Sequence, residues 1–195
     1  MVIDRYLTFG PHLKKVIGTA RSKYPQMWNT RKTTDKATTM LLYKQMVLPC
    51  LEYCPLILDS GPAWAVTKLQ TIQNDCLRIC NNIQDACLAD VDDLHVDADL
   101  EKLHVRRNRH LLTMMYKRST DPDNLVQPRR NLRGNIQLKF KLKRHSKNCY
   151  LNSPEYRGSR LWDRLTPEQQ KSDTKDSFKM TLTPENLRPL EPLVV

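Results

Sequence analysis

The sequence predicts a mainly α-helical chain: a three-helix bundle, one further helix, then a basic, weakly ordered tail with short helices and room for a small hairpin. Three observations carry that expectation. Apolar residues recur at three- and four-residue steps in four separate stretches, each marking one face of a helix. Helix-starting residues, Pro11, Asp35 and Pro62 among them, stand at the heads of these stretches,. Strand-like alternation is confined to Gln137–Lys143, where Leu138, Phe140 and Leu142 alternate with Lys139 and Lys141,.

Taken in order, Val2-Ile3-Asp4 reads as the stub of a strand and Leu7-Thr8-Phe9-Gly10 as a turn. Pro11 suits a first helical turn, where its missing N–H does no harm, and Leu13, Val16, Ile17, Ala20 and Tyr24 then share one face,. His12, a lone histidine at that start, reads as a helix-start or packing residue rather than a ligand. Thr33, Thr34 and Asp35 offer N-caps for the second helix, whose seam is Ala37, Met40, Leu41, Lys44, Val47, Leu48 and Leu51 and whose end is expected near Leu58,. Pro49 cannot donate to the carbonyl of Gln45, so the helix should kink there or tighten a turn. After the Gly61-Pro62 break a third helix carries Val66, Leu69, Ile72, Gln73, Cys76, Leu77 and Cys80 on one face, with Gln70, Asn74 and Asp75 mostly on the other,. A fourth helix is expected from Asp99 to about Ser119, with Leu100, Leu103, Arg107, Leu111 and Met114 facing one way and Arg106, Arg109, His110, Lys117 and Arg118 on the exterior. Thr120 to Asn124 supplies the turn chemistry that ends it. The chain thus divides into residues 1–32, a hairpin over 33–82, an acidic connector and basic helix over 83–119, and a basic C-terminal region over 120–195.

Charge is distributed unevenly over the 195 residues. Residues 81–101 hold no Lys or Arg and seven acids, whereas residues 102–147 hold 14 basic and 2 acidic side chains. The basic block is either a phosphate-contacting surface or a solubilising face. As a surface it would use Arg106, Arg107, Arg109, Lys117, Arg118, Arg129, Arg130, Arg133, Lys139, Lys141, Lys143 and Arg144. No apolar run reaches the roughly 20 residues of a membrane span. The N-terminus lacks the basic-then-apolar pattern of a secretory signal. The expectation is therefore an intracellular protein, nucleus and cytoplasm undistinguished, with no membrane partner and reduced cysteines.

Catalytic constellations are scarce. The run Asp90-Val91-Asp92-Asp93 resembles a metal-binding carboxylate pair, but polar residues flank it and it reads as a solvated acidic run,. Cys50-x3-Cys54 and Cys76-x3-Cys80 could bring four thiolates together, yet structural zinc sites more often space such pairs two residues apart at a knuckle turn. Cys76 and Cys80 also lie on an apolar seam, where a thiol acts as a small hydrophobe. There is no Gly-rich phosphate loop and no nucleophile elbow. No metal and no cofactor are expected.

The most specific wording lies between Leu41 and Asn81. Leu42, Tyr43, Val47, Pro49, Leu51, Glu52 and Tyr53, followed after the break by Leu69, Gln70, Gln73, Asn74, Leu77 and Arg78, form an ordered set. This set resembles the thumb region of reverse transcriptases from non-LTR retrotransposons, the LINE and jockey-like group. Leu7, Thr8, Phe9 and His12 are similar to the phrase that follows the palm in that family. Arg106 and Arg107 stand where its post-thumb helix carries arginines. Tyr156 to Glu168, with Ser177-Phe178-Lys179, looks like its closing segment, Asp163 replacing the usual Asn and Thr166-Pro167 the usual Leu-Pro.

The resemblance implies a thumb-like bundle that holds an RNA template and DNA primer. The partner class is RNA or an RNA–DNA hybrid, gripped with tolerance of sequence. The palm and its aspartates are absent from this chain, so the Mg²⁺ of the complete family enzyme has no counterpart here and the chain alone is not expected to polymerise. The alternatives are a helical protein-interaction module, or a decayed retroelement fragment without selected function.

Overall fold

The structure, a computed structural model, describes residues 2, 4–5, 8–84, 90–120, 140, 150, 153–183 and 185–188. It is mainly α-helical, and no strand occurs among the described residues. The chain divides into two compact units, Met1–Leu103 and His104–Val195. The boundary falls at the start of the basic helix, which therefore groups with the C-terminal region rather than with the acidic connector.

In the first unit the described N-terminal residues Val2 and Asp4 are not in a strand; among the described residues no second strand exists for one to pair with,. The Asp4 carboxylate instead accepts hydrogen bonds from the Thr8 and Phe9 N–H groups (3.1 and 2.7 Å) and so fixes the entry to the first helix, α1 (Gly10–Arg21). Leu13, Ile17 and Ala20 are buried along α1 as their spacing predicts. Tyr24, expected on the same helix, begins a second one, α2 (Tyr24–Thr33). Pro25 explains the break, because it could not donate to the carbonyl of Arg21 in a continuing helix.

Asp35 caps α3 (Lys36–Leu42) by accepting from the Thr38 N–H at 3.1 Å. A π-helical turn, Tyr43–Val47, follows, closed by the Leu48 N–H donating to the Tyr43 carbonyl, and α4 (Leu48–Glu52) continues the rod. The expected disturbance at Pro49 thus takes the form of one wide turn just before it. That turn changes which side chains face the core. Val47, Leu48 and Leu51 are buried as predicted, but before them the buried residues are Thr39 and Tyr43, one position earlier than the predicted Met40 and Lys44. Leu41, expected inward, is 54% exposed. An extra residue in the turn moves the upstream half of the seam back by one.

The helix also ends earlier than Leu58. Cys54 adopts a left-handed conformation (φ 51°) ahead of Pro55, and a short helix, α5 (Pro55–Asp59), follows. The residue before a proline is disfavoured in the α region, which stops α4 at Glu52,. At the next turn Gly61 lies so close to Leu13 of α1 that a Cβ there would clash with its Cδ1.

The longest helix of this unit is α6 (Ala63–Cys80), with Pro62 as its N-cap. Leu69, Ile72, Gln73, Cys76, Leu77 and Cys80 are buried as the periodicity predicts, and Ala65 and Ile79 join them. This face meets α1, α2 and α3, so the core is built by more helices than the three seams alone. After residues 85–89, α7 (Val91–Asp97) packs on α6, capped by the Asp90 side chain accepting from the Asp92 N–H at 2.9 Å.

The second unit opens with α8 (Leu103–Thr120), which starts four residues later than the expected Asp99. Asp99 is left-handed (φ 46°), and the Leu100 N–H closes on the His95 carbonyl at 3.0 Å, terminating α7 before a new helix can begin,. Leu111, Leu112, Met115 and Tyr116 are buried on α8; Met114, expected inward, is half-buried.

Beyond it, α9 (Pro154–Trp162), α10 (Pro167–Gln170) and α11 (Lys175–Met180) each begin at a Ser or Thr whose side chain accepts a backbone N–H of the first turn,. Thr166 and Gln169 make a reciprocal capping box,. Trp162, Phe178 and Tyr116 form an aromatic centre, with Tyr116 stacked on Phe178 at 4.6 Å between ring centroids and Trp162 at 5.8 Å from Phe178. Gly158 lets α9 approach α8: a Cβ there would lie 2.7 Å from the Met115 sulfur. The basic alternating segment, where a small hairpin was expected, lies outside the described residues, Phe140 excepted, whose ring meets Trp162 edge-on at 5.5 Å.

Candidate functional site

Of the twelve basic residues singled out in the sequence, Arg106, Arg107, Arg109, Lys117 and Arg118 are described, and all five lie on α8. Arg129, Arg130, Arg133, Lys139, Lys141, Lys143 and Arg144 lie outside the described residues. The five on α8 are not equivalent. Lys117 is exposed, and Arg106 and Arg109 are half-buried. Arg118 reaches Glu155 at 3.6 Å. Arg107 is 3% exposed, in keeping with its place on the predicted inward seam rather than on an outer basic surface. Arg106, Arg109, Lys117 and Arg118 are thus the described basic residues of this set on α8 that are not buried.

The acidic run is used locally. Asp90 caps α7, Asp92 pairs with Lys102, and Asp97 pairs with Lys36. The hydrogen bond and charge of Lys102 hold the Asp92 carboxyl below the usual carboxylate range. No group of three or more metal-ligating side chains occurs among the described residues. Cys76 and Cys80 are fully buried on the α6 seam, and burial pushes the Cys80 thiol up to about 11 and the Cys76 thiol higher still. Cys50 donates to the Met46 carbonyl at 3.4 Å.

Sequence reasoning missed a polar clasp on α6. Gln70, Asn74 and the buried Gln73 reach the chain between α7 and α8. The Leu103 N–H, at the head of α8, donates to the side-chain oxygens of Gln70 and Gln73 (3.0 and 3.2 Å), and Gln73 Nε2 donates to the Glu101 carbonyl at 3.1 Å. Gln70 Nε2 bridges to the Gln73 and Asn74 oxygens. His95 closes the network, one ring nitrogen 3.1 Å from Asn74 Oδ1 and the other 2.7 Å from the Leu100 carbonyl. An orphan N–H at a helix start is thereby satisfied by amide side chains from another helix. These glutamines and the asparagine belong to the phrase that carries the thumb resemblance, so its polar members are bound up in structure rather than displayed.

The first unit also contains a cleft of about 330 Å³ between α1 and α4,. His12 lies in its lining, 7% exposed, and neither ring nitrogen has a hydrogen-bond partner among the described residues. Burial, followed by positive charge that includes Lys15, holds its imidazole below the usual histidine range,.

Comparison with protein-family models, with curated proteins and with solved structures returned no match to this chain.

Proposed function

We propose that this chain is a non-catalytic helical module of thumb type that holds RNA or an RNA–DNA hybrid by its phosphate backbone. The observation that carries the reading is the concentration of 14 basic against 2 acidic side chains in residues 102–147. Such a block releases counterions on meeting a phosphate chain and needs no base-specific geometry. Arg106, Arg109, Lys117 and Arg118 support the reading by their place along one 18-residue helix, a rigid element. Two members of the acidic run have local partners, Asp90 as the cap of α7 and Asp92 in an ion pair with Lys102, which supports the non-catalytic half of it. The thumb-like wording of residues 41–81 favours a template–primer partner over a generic polyanion.

The experiment is fluorescence anisotropy with a labelled RNA–DNA hybrid, comparing the unmodified chain with a variant carrying Gln at positions 106, 109, 129, 130 and 143. Arg107 is left in place because its burial gives it a packing role. The variant should bind at least about tenfold more weakly at low salt and lose about four from its salt slope. Unchanged affinity in a variant with the same circular dichroism would count against the basic block. A second reading, a helical protein-interaction module, has the exposed Leu41 and Tyr53 of the first unit in its favour,. It predicts binding that salt leaves nearly unaltered.

A further inference from the structure

A second concentration of positive charge lies in the first unit, outside residues 102–147. Residues 5–34, which include α1 and α2, hold seven basic side chains and no Asp or Glu. Arg31 is committed to structure: its Nε donates to the Cys80 carbonyl at 3.0 Å and a terminal nitrogen to the Thr34 carbonyl at 3.1 Å. Lys14, Lys15 and Arg21 are exposed on α1, and Lys23 follows its end. Among the described residues these four form no ion pair.

The charges are arranged around small residues. Lys14, Gly18 and Arg21 stand at i, i+4 and i+7 on α1, and Lys15, Thr19 and Ser22 make a parallel strip one residue on,. All six are exposed, and between Lys14 and Ser22 every exposed residue is either basic or small. Ser22 folds back, its hydroxyl donating to the Thr19 carbonyl at 2.8 Å. Gly18 is the unusual member. Glycine inside a helix is less stable than alanine, and a Cβ at Gly18 would meet nothing within 4 Å,. No neighbour within the chain therefore requires a glycine there, whereas close approach of another molecule's backbone would.

We propose that this face of α1 is a second nucleic-acid contact, on which one strand of the duplex crosses the helix at Gly18 between Lys14 and Lys15 at one end and Arg21 and Lys23 at the other. The inference rests on the phosphate-binding reading for the class of its partner and adds a contact in the first unit. Lys14 and Arg21 are separated by about 10 Å along the helix axis, so they meet different phosphates of a strand that rises about 3.4 Å per nucleotide. A membrane-surface helix would need a broad apolar face, and the exposed strips have none,. A protein interface buries large anchors at its centre, where this face has Gly18.

The test uses the full chain and a labelled RNA–DNA hybrid, read by fluorescence anisotropy at several salt concentrations. A variant carrying Lys14→Gln, Lys15→Gln and Arg21→Gln should bind at least about tenfold more weakly at low salt and lose about two to three from its salt slope. A control with the same loss of charge at exposed positions elsewhere, Lys44→Gln, Lys68→Gln and Lys171→Gln, should lose less than about threefold. Gly18→Gln should raise the thermal midpoint, because glutamine is the better helix former, and yet weaken binding at least about threefold. A merely structural role for Gly18 cannot move those two readouts in opposite directions.

Equal binding by the α1 variant and the control would mean a solvated face and would overturn the proposal, as would unaltered binding by Gly18→Gln. Binding to anionic vesicles that the α1 variant loses, with hybrid binding intact, would assign the face to a membrane surface instead. The variant with Gln at positions 106, 109, 129, 130 and 143 separates this inference from the reading it rests on. Loss there with none in the α1 variant strikes the α1 face alone. Loss in the α1 variant with none there strikes residues 102–147 and leaves α1 standing. No hybrid binding by the unmodified chain overturns both.

Discussion

At the residue scale, one side chain can have two jobs that its periodicity does not distinguish. Leu69 is fully buried, and truncating it to Ala should cost about 2–5 kcal/mol,. Its neighbour Gln70 looks like an outer-face residue by helical phase, yet its side-chain oxygen receives the Leu103 N–H. Gln70→Ala should therefore cost about 1 kcal/mol, less than Leu69→Ala but more than a residue facing only solvent. Val96→Ala, at an 81% exposed position, should fall within about 0.5 kcal/mol of the unmodified chain,. Urea denaturation followed by circular dichroism orders the three; Gln70→Ala matching Val96→Ala would show that the clasp is energetically idle.

His12 makes a second prediction at this scale. Its pKa is lowered in the folded chain from 6.5, so between the folded value and about 6.5 the unfolded chain binds the extra proton,. Its contribution to stability is complete above about pH 6.5 and is lost as pH falls through the folded pKa. Stability measured from pH 8 down to pH 5 should decline more steeply in the unmodified chain than in His12→Leu. Parallel profiles would contradict the buried neutral assignment. Nothing in the spacing of a lone histidine separates a satisfied one from an orphan, which is why the sequence reading stopped at packing.

At the element scale, the legible parts are those governed by one local rule. The inward face of α6 follows from its unbroken 3.6-residue period, and the caps at Asp35 and Thr166 follow from their side chains,. The missed breaks had local signals too: Pro25 ends one helix and Pro55 another. The π turn was not legible as such, because an apolar seam written in α-helical steps does not show where an extra residue enters. Its consequence is testable. Deleting the exposed Lys44 together with Pro49→Ala should convert Lys36–Glu52 into a continuous α-helix with the same inward set,. That variant should keep a cooperative thermal transition. Deleting the equally exposed Lys68 turns half of α6 by about 100° relative to the other half and should abolish it,. Loss of folding in both deletions alike would mean that the π turn does not set the phase.

At the scale of the whole molecule, the chain has two cores, one around α6 and one around Trp162, Phe178 and Tyr116. The fold class was legible because helix periods dominate the sequence. The second core was not, because its elements other than α8 are four to nine residues long and contribute few large side chains each, too few to establish a period,. The helix that carries the described part of the basic block, α8, belongs to this second unit. Function at this scale rests on whether that block meets phosphate. The salt dependence of binding tests it most directly: the association constant of the unmodified chain for an RNA–DNA hybrid, measured by anisotropy between about 50 and 200 mM monovalent salt. The basic-block account predicts a log–log slope of about −5 or steeper, unaltered when the hybrid's sequence is scrambled. A slope within about one of zero, or binding that follows the sequence rather than the salt, would contradict it.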